Sequence, residues 1–260
     1  MTKLTIGAAA LAITLLAACG DDGAPVLTAD TTTAADDPVA EPVIDPGDGG
    51  DYHPTLDPAD FVDVVDNPYF PLAAGSRWVY EDVEGGSTER VEVTVLPDRK
   101  EILGISATVV RDVVTVDGVL VEDTHDWYAQ DRDGNVWYLG EDVKNYEDGV
   151  YVDSDGSFEA GVDGALPGIV MLADPQVGRA YRQELYEGEA EDLGEVVALG
   201  QHRSVPAGTF DDVLVTRDWN PLEPDVVEEK SYARGVGLIF EEHVQGDPGQ
   251  VALIEVSLAG

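Results

Sequence analysis

The chain has 260 residues, of which 53 are Asp or Glu and only 14 are Lys or Arg, so its formal net charge at pH 7 is -39. A surface of this sign repels phosphate backbones, which excludes nucleic acid as a partner. The one cysteine excludes an internal disulfide and any zinc site built from several thiolates. Solubility through self-repulsion explains the charge most simply; divalent cations, a cationic partner or a salty habitat are the alternatives.

Residues 1–18 have the pattern of a bacterial lipoprotein signal peptide. Lys3 supplies the positive end, and the apolar stretch 4–16 is shorter than the about 20 residues that span a bilayer. The small residues before Cys19 resemble a lipobox. This resemblance implies cleavage before Cys19 and attachment of lipid, palmitate included, to that residue. The protein would then be anchored in the cell envelope, on the extracytoplasmic face of a membrane. An ordinary secretory signal or a short buried helix is the alternative.

Residues 19–60 are predicted to form a lipidated, disordered acidic tether. The segment is rich in Asp, Thr, Ala, Pro and Gly, and its first aromatic residue is Tyr52. A stretch of this composition buries too little apolar surface to fold by itself. The remaining residues, 61–260, are predicted to form one β-rich extracytoplasmic domain.

The domain has the sequence pattern of antiparallel strands. Residues 90–95 alternate apolar and polar side chains, and residues 119–127 do so more loosely. Asp-Gly pairs begin at Asp117, Asp133 and Asp148, as well as at position 155, and predict hairpin turns. Short helical pieces are expected only around 59–65 and 167–172. The predicted fold class is all-β: an antiparallel meander that forms a curved sheet or open barrel.

The two halves of the domain resemble each other. Segments of residues 75–142 match segments of residues 178–242 roughly 100 positions later, which predicts two tandem repeats of about five strands. Chance similarity between antiparallel strands is the alternative. Between the halves, residues 160–178 are expected to be irregular. Their apolar run, residues 166–172, is a candidate plug or lid.

Four motifs resemble a group of uncharacterised bacterial secreted proteins and lipoproteins. They are NPYFPL at 67–72 followed by Gly75, Trp78 and Tyr80; DWYAQD at 126–131 followed by GNVWY at 134–138; VPAGTF at 205–210; and YA-x-GVGL at 232–238. The resemblance implies an extracytoplasmic β-rich domain and no particular activity. At the level of fold, the chain also looks like half-barrel lipid-binding lipoproteins.

No catalytic motif stands out in the chain. It has four histidines but neither a Gly-x-Ser-x-Gly elbow nor a His-Glu-x-x-His helix, so the common serine and zinc hydrolases have no support. Among 53 acidic residues, some pair will lie at the separation that glycosidases use simply by chance. We therefore expect no enzyme, and an acid-pair hydrolase remains one alternative.

One turn has oxygen-bearing side chains at calcium-like spacing. Asp131, Asp133 and Asn135 occupy alternate positions, and Ca²⁺ takes six to eight oxygen ligands. Calcium is the only cofactor that the sequence suggests, and plain hairpin turns are the competing interpretation. A structural or adhesive surface protein with calcium-bound turns is the second alternative function.

Aromatic residues on predicted strands are the main functional lead. Trp78, Trp137 and Tyr138, together with Met171 in the apolar run, are candidate ligand-binding residues on the concave face of the sheet. The competing interpretation is that they form the core. The leading hypothesis is a non-catalytic binding module for an apolar or amphipathic ligand. The expected partners are the membrane, through the lipid anchor, and an apolar small molecule or a protein.

Overall fold

The structure is a computed structural model that describes residues 52–82 and 86–260. The predicted signal peptide, Cys19 and most of the predicted tether lie outside these residues. The described part contains one 3₁₀ helix, Pro58–Asp60, and 19 strands. The strands are β1 (Phe61–Val62), β2 (Asp66–Asn67), β3 (Phe70–Pro71), β4 (Arg77–Asp82), β5 (Glu89–Ile102), β6 (Ile105–Val116), β7 (Val119–Asp131), β8 (Val136–Asp142), β9 (Asn145–Glu147), β10 (Val150–Asp153), β11 (Phe158–Glu159), β12 (Leu166–Met171), β13 (Ala180–Arg182), β14 (Glu184–Leu185), β15 (Leu193–Val205), β16 (Gly208–Trp219), β17 (Val227–Ala233), β18 (Gly237–Gln245) and β19 (Gln250–Ser257).

Seventeen strands form one antiparallel sheet, and β2 and β3 form a separate pair. The long strands β15 to β19 pair in sequence, β19 pairs with β4, and the order then runs on through β8. Beyond β8 lies β12, which also pairs with β14. Only Gln183 separates β14 from β13, which pairs with β15. The sheet therefore curves until its two ends nearly meet, which confirms the predicted all-β curved sheet.

Left-handed turn residues fix the hairpins. Asp117 and Gly118, between β6 and β7, have φ angles of 51° and 79°, and Asp148 and Gly149, between β9 and β10, have 51° and 74°. Two consecutive positive φ angles define the turn type that matches the twist of antiparallel strands, and Asp-Gly adopts it readily. The hairpins predicted at these two Asp-Gly pairs are confirmed.

The apolar run at 166–172 was predicted to be a helical piece or a connecting plug or lid, and this prediction is wrong. It forms β12, which pairs with β8 through Gly168 and Ile169 and with β14 through Leu166 and Pro167. The run is apolar because both faces of this strand are covered in the nearly closed sheet. In the other region where a helical piece was expected, the 3₁₀ helix Pro58–Asp60 is followed directly by β1.

The two predicted repeats each contain five strands of the meander, β4 to β8 and then β13 with β15 to β18. They also share one turn. Gly75 N donates to Val95 O at 2.8 Å, and Gly178 N donates to Val196 O at 2.8 Å, at matching positions of the two halves. The duplication itself stays a prediction, because antiparallel meanders often share such turns.

The core lies inside the curved sheet and includes side chains from almost every strand. Tyr52, within the predicted tether, is already buried, and its hydroxyl donates to Pro167 O at 2.7 Å. Packed structure therefore extends at least to this residue. Within residues 52–82 and 86–260, no helix is long and apolar enough to cross a membrane.

Candidate functional site

A cavity of about 80 Å³ lies inside the curved sheet, between the β4–β7 side and the β17–β18 side. Side chains at i and i+2 of a strand share one face, so Trp78 and Tyr80 of β4 both reach it, as do Lys230 and Tyr232 of β17. We call it the aromatic cavity. Its lining consists of Phe70, Pro71, Leu72, Trp78, Tyr80, Val93, Val110, Asp112, Asp126, Tyr128, Lys230, Tyr232, Gly237, Leu238 and Glu241.

The aromatic walls are held by contacts at their edges. Trp78 Nε1 donates to Val236 O at 2.7 Å, and the Tyr80 hydroxyl donates to Leu238 O at 3.0 Å. The Phe70 ring packs edge-on against Tyr128, with centroids 5.2 Å apart. Because the indole N–H and the Tyr80 hydroxyl are already bonded to backbone, these two side chains present mainly apolar ring surface to the cavity.

Three acidic side chains form one end of the cavity. Asp112 is 3% exposed, and neither of its carboxyl oxygens has a hydrogen-bond partner among the described residues. Glu241 is 1% exposed, and its Oε1 likewise has none. Asp126 Oδ1 accepts a hydrogen bond from the Tyr138 hydroxyl at 2.7 Å. The lining therefore contains three carboxyl groups and one ammonium group, that of Lys230.

Burial dominates the titration of these acids. It raises the pKa of Asp112 well above its usual range, and the nearby charge of Glu122 adds to the effect. Burial also raises the pKa of Asp126 to about 7 and the pKa of Glu241 to about 8. Burial favours the neutral form of a carboxyl group, so these groups take up protons at higher pH than exposed acids do.

Lys230 supplies the positive charge next to these acids. Its Nζ lies 3.3 Å from Asp218 Oδ2, 3.3 Å from Glu228 Oε2 and 3.8 Å from Glu241 Oε2. Burial alone would lower the pKa of Lys230, but the surrounding carboxylates outweigh it and raise the pKa well above its usual range. The described residues include seven buried acids but only two buried bases, Lys230 and Arg182.

The four predicted ligand-binding residues do not line one common cavity. Trp78 lines the aromatic cavity. Tyr138 lies behind it, stacked on Tyr128 with centroids 4.9 Å apart. Trp137 packs against Phe61 with centroids 6.5 Å apart, and Met171 is buried on β12. Tyr138 therefore acts on the cavity through Tyr128 and Asp126, while Trp137 and Met171 belong to the packing around it.

The predicted calcium turn is satisfied by hydrogen bonds of its own. Asp131 Oδ1 accepts from Gly134 N and Asn135 N, and its Oδ2 accepts from Asn135 Nδ2 and Trp137 Nε1. Asn135 Oδ1 accepts from Ala173 N, and Asp133 is exposed. In the described part of the chain, no three or more His, Cys, Asp or Glu side chains are grouped to hold a metal ion. The geometry is that of a hairpin turn held by its own hydrogen bonds, and the calcium site stays a prediction.

The NPYFPL motif and the motif that contains DWYAQD and GNVWY meet around Asn67. Its Nδ2 donates to Gly134 O at 2.9 Å and to Leu172 O at 3.2 Å, and its backbone N donates to Gln130 Oε1 at 2.8 Å. The YA-x-GVGL motif joins the same end of the sheet, since Gly235 N donates to Pro68 O. These residues close the end of the sheet beside the aromatic cavity.

A second cleft, of about 360 Å³, lies on the other side of β7. Trp127 lines it, while its neighbour Tyr128 lines the aromatic cavity, as strand geometry predicts. Lys100 Nζ lies 3.4 Å from the centroid of Trp127 and 2.7 Å from Glu159 Oε2. Glu141, opposite Asp126 in the register, also lines this cleft, and burial raises its pKa well above the usual range.

An acid-pair hydrolase needs two suitably placed carboxyl groups, and this second cleft offers only one, that of Glu141. Glu141 is a perturbed acid of the kind that serves as a proton donor. Its cross-strand neighbour Asp126 lines the other cavity, and Glu159 is paired with Lys100. A hydrolase needs two carboxyl groups flanking one scissile bond, so this arrangement does not favour hydrolysis.

The sequence analysis missed Asp112, Asp126, Lys230 and Glu241. One signal was present in β6, where Asp112 sits between Val110 and Val114 at the inward-facing positions of an alternating strand. An acid on the apolar face of a strand is unusual, but it is hard to recognise in a chain with 53 acids.

No protein-family model matches the chain, and no curated protein matches it significantly. Two solved structures resemble it, each with 15% sequence identity and a TM-score of 0.40. One, from Bacteroides fragilis, is provisionally described as an exported protein with a YmcC-like fold, and the alignment covers 73% of this chain and 99% of that one. The other, from Parabacteroides distasonis, is provisionally described as a lipoprotein, with coverages of 74% and 99%. A likeness this weak carries no argument about function.

Proposed function

We propose that the protein is a membrane-anchored extracytoplasmic lipoprotein whose β domain is a non-catalytic binding module. The lipobox-like segment ending at Cys19 supports the anchor. The aromatic cavity supports the binding function, because it combines apolar walls with a few convergent polar groups, as small-molecule sites do. The ligand class is amphipathic, with an apolar part against Trp78 and Tyr128 and a polar end at Asp112.

One observation carries this proposal: the cavity has polar groups that the described residues leave unsatisfied. Native proteins pair almost all of their buried polar atoms, and each exception calls for an explanation. Asp112 lines the cavity, and both of its carboxyl oxygens are buried without a hydrogen-bond partner among the described residues. A bound molecule would fill the cavity and donate hydrogen bonds to the Asp112 oxygens.

The size of the cavity limits how the ligand binds. A water needs roughly 10–15 Å³ of such space, so about 80 Å³ holds roughly five to eight waters. A molecule of several hundred daltons does not fit entirely inside. Only one end of the ligand enters, and the remainder lies outside the aromatic walls.

Filling the cavity tests the proposal. Val110 lines it, so Val110→Phe occupies the space that the ligand needs, while Val119→Phe makes the same change at an exposed position. The full chain is purified gently with a mild detergent, and the masses that remain bound are recorded by native mass spectrometry. We expect one small-molecule adduct on the wild type and on Val119→Phe, and none on Val110→Phe.

The melting temperature of each variant is measured alongside, to show that Val110→Phe is folded. An adduct that is equally abundant on all three proteins would place the ligand elsewhere. A bare mass for all three, followed by no binding of any amphiphile to the wild type, would overturn the binding function.

A further inference from the structure

We infer that the aromatic cavity binds the ammonium group of an amphipathic amine, with Asp112 as its anionic partner. The inference rests on the proposed function, because it uses the same cavity and names the chemical class of the ligand that enters it.

The first argument is the unmet demand of Asp112 for donors. Asp112 is 3% exposed and lines the cavity. Neither of its carboxyl oxygens has a hydrogen-bond partner among the described residues. Leaving such a group unpaired costs free energy, because its lost hydration is not replaced. The partner that the cavity lacks is therefore a donor, and a charged donor satisfies a carboxylate best.

The second argument is that the protein's own donors near the cavity are committed elsewhere. The hydroxyls of Tyr80 and Tyr138 donate to Leu238 O and Asp126 Oδ1. Lys230 Nζ lies closest to Asp218 and Glu228. None of these groups donates to Asp112, so in this inference the ligand supplies the donor.

The third argument is the composition of the walls. Faces of Trp and Tyr rings carry negative potential and attract cations. Trp78, Tyr80, Tyr128 and Tyr232 surround the cavity, and Asp126 and Glu241 add carboxyl groups. An anionic group would meet three acids there and one cation, Lys230, whose ammonium is already paired with Asp218 and Glu228.

A metal ion fits this cavity poorly. Ca²⁺ and Mg²⁺ need six or more oxygen ligands, whereas most of this lining is carbon. Residues 52–82 and 86–260 offer no group of three metal-ligating side chains. An alkylammonium group needs only one carboxylate and an apolar enclosure, because it has three N–H donors and a hydrocarbon body.

Binding of an ammonium group at Asp112 is expected to depend on pH. Burial favours the protonated, neutral form of Asp112 in the empty cavity. Binding of an ammonium favours the carboxylate, so the carboxyl proton leaves to solvent while the ammonium keeps all of its protons. Protons are therefore released when the ligand binds, and the affinity rises with pH until the amine itself loses its proton near pH 10.

The test uses the full chain in nanodiscs of zwitterionic lipid, with empty nanodiscs as the reference. Binding of hexylammonium, hexanol and hexanoate is measured by calorimetry at pH 7 in two buffers with different ionisation enthalpies. We expect hexylammonium to bind at least 10-fold more tightly than hexanol, with proton release, and hexanoate not to bind. Asp112→Asn should weaken hexylammonium at least 10-fold, while Asp98→Asn, the same change at an exposed position, should not.

The outcomes separate this inference from the proposed function. If hexanol binds as tightly as hexylammonium and Asp112→Asn changes neither, the cavity binds apolar groups and the ammonium inference is wrong. If no probe binds beyond the empty nanodiscs, both the inference and the binding function fail. If Asp112→Asn does not fold, the wild type decides: hexylammonium affinity that rises between pH 6 and pH 8 supports the inference, and a flat profile without proton release overturns it.

Discussion

Lys230 Nζ lies 3.3 Å from Asp218 Oδ2 inside the curved sheet, where the two side chains are only 6% and 7% exposed. The register places Lys230 directly opposite Thr216 on one side and Glu241 on the other. One ammonium therefore serves several buried acids at the centre of the fold. The same arrangement leaves Asp112, on the β4–β7 side, without a counter-ion of its own.

Replacing Lys230 should be among the most destabilising changes in the domain. Lys230→Met keeps most of the length of the side chain but leaves Asp218, Glu228 and Glu241 without their cation. Removing one partner of a buried ion pair costs about 3–5 kcal/mol, because the other charge stays buried and unpaired. Chemical denaturation at pH 7 measures this loss in the free energy of unfolding.

Lys144→Met is the matched control. Lys144 pairs with Asp142 at 2.8 Å, but its side chain is 38% exposed, and exposed pairs contribute about 0–1 kcal/mol. Equal losses for the two variants would show that the interior charge of Lys230 has no special weight.

The fold should be most stable at mildly acidic pH. Burial raises the pKa of Glu89 and of Asp126 to about 7, and that of Glu241 to about 8. Below pH 4 these acids are protonated in both states, but between pH 5 and 8 the folded state binds more protons than the unfolded state. Stability therefore falls as pH rises through this window, by at most about 1.4 kcal/mol per pH unit for each group.

His243 acts in the same direction. A hydrogen bond with Glu228 raises its pKa to about 9, so it stabilises the fold below pH 6.5 and loses that effect as pH rises through 9. Ion pairs with Arg77 and Arg111 lower the pKa values of Glu92 and Asp123, whose stabilisation is lost only at strongly acidic pH. Melting temperatures from pH 3 to pH 9 should therefore peak near pH 5.

Glu89→Gln should reduce the fall between pH 5 and pH 8, because it removes one of the buried acids without changing its shape. Glu101→Gln, on the exposed side of the same strand, should leave the profile as it is. A melting temperature that rises steadily from pH 5 to pH 8 in the wild type would contradict the assignment of these buried acids.

Local sequence signals were sufficient for several of the strands and for two of the hairpins of this fold. The alternation in residues 90–95 specified part of β5, and Asp117-Gly118 specified the turn after β6, because both depend only on neighbouring residues. The identity of β12 depends on the closure of the sheet, which joins strands from distant parts of the chain. An apolar run of that length fits a lid, a plug or a fully covered strand equally well.

The candidate site was predictable only in part. Trp78 was chosen as an aromatic residue on a predicted strand, and it lines the cavity. Asp112 was not chosen, because its burial comes from strands on the far side of the sheet, and no sequence pattern shows how that side packs. Asp131 was chosen for calcium, since its spacing fits both a metal loop and a turn held by its own hydrogen bonds.

The lipid anchor can be tested independently of the fold. Cys19→Ser should abolish incorporation of labelled palmitate in a bacterial host and leave the signal peptide attached, because the thiol that receives the lipid is gone. Label incorporation and the mass of the purified chain measure both effects. A wild-type chain that is cleaved and secreted without label would instead identify an ordinary secretory signal.

Gly168 is expected to be indispensable for joining β12 to the strands that follow. A Cβ at this position would lie 2.3 Å from the carbonyl carbon and oxygen of Gln183 and 2.5 Å from Arg182 O, which are backbone atoms and cannot move aside independently. Gly168→Ala should therefore lower the free energy of unfolding by more than about 2 kcal/mol or prevent folding. Gly86→Ala, where nothing lies within 4 Å of the added carbon, is the control and should be neutral.

Asn67 should be needed as an amide and not merely for its shape. Its Nδ2 donates to the carbonyls of Gly134 and Leu172, and its Oδ1 accepts from Tyr69 N at 2.9 Å. Asn67→Asp keeps the size of the side chain but sets a carboxylate oxygen against two buried carbonyls. The expected loss is about 2–4 kcal/mol, from two lost donors and the repulsion between acceptors.

Asn145→Asp is the comparison variant for this position. Asn145 Nδ2 also donates to two oxygens, of Asp153 and Asp155, but it does so at a more accessible site, where water can replace the lost donor. Its loss should be about 1 kcal/mol or less at pH 7 in moderate salt, measured by chemical denaturation. Asn67→Asp and Asn145→Asp with equal free energies of unfolding would show that the buried donors of Asn67 do not hold this end of the sheet.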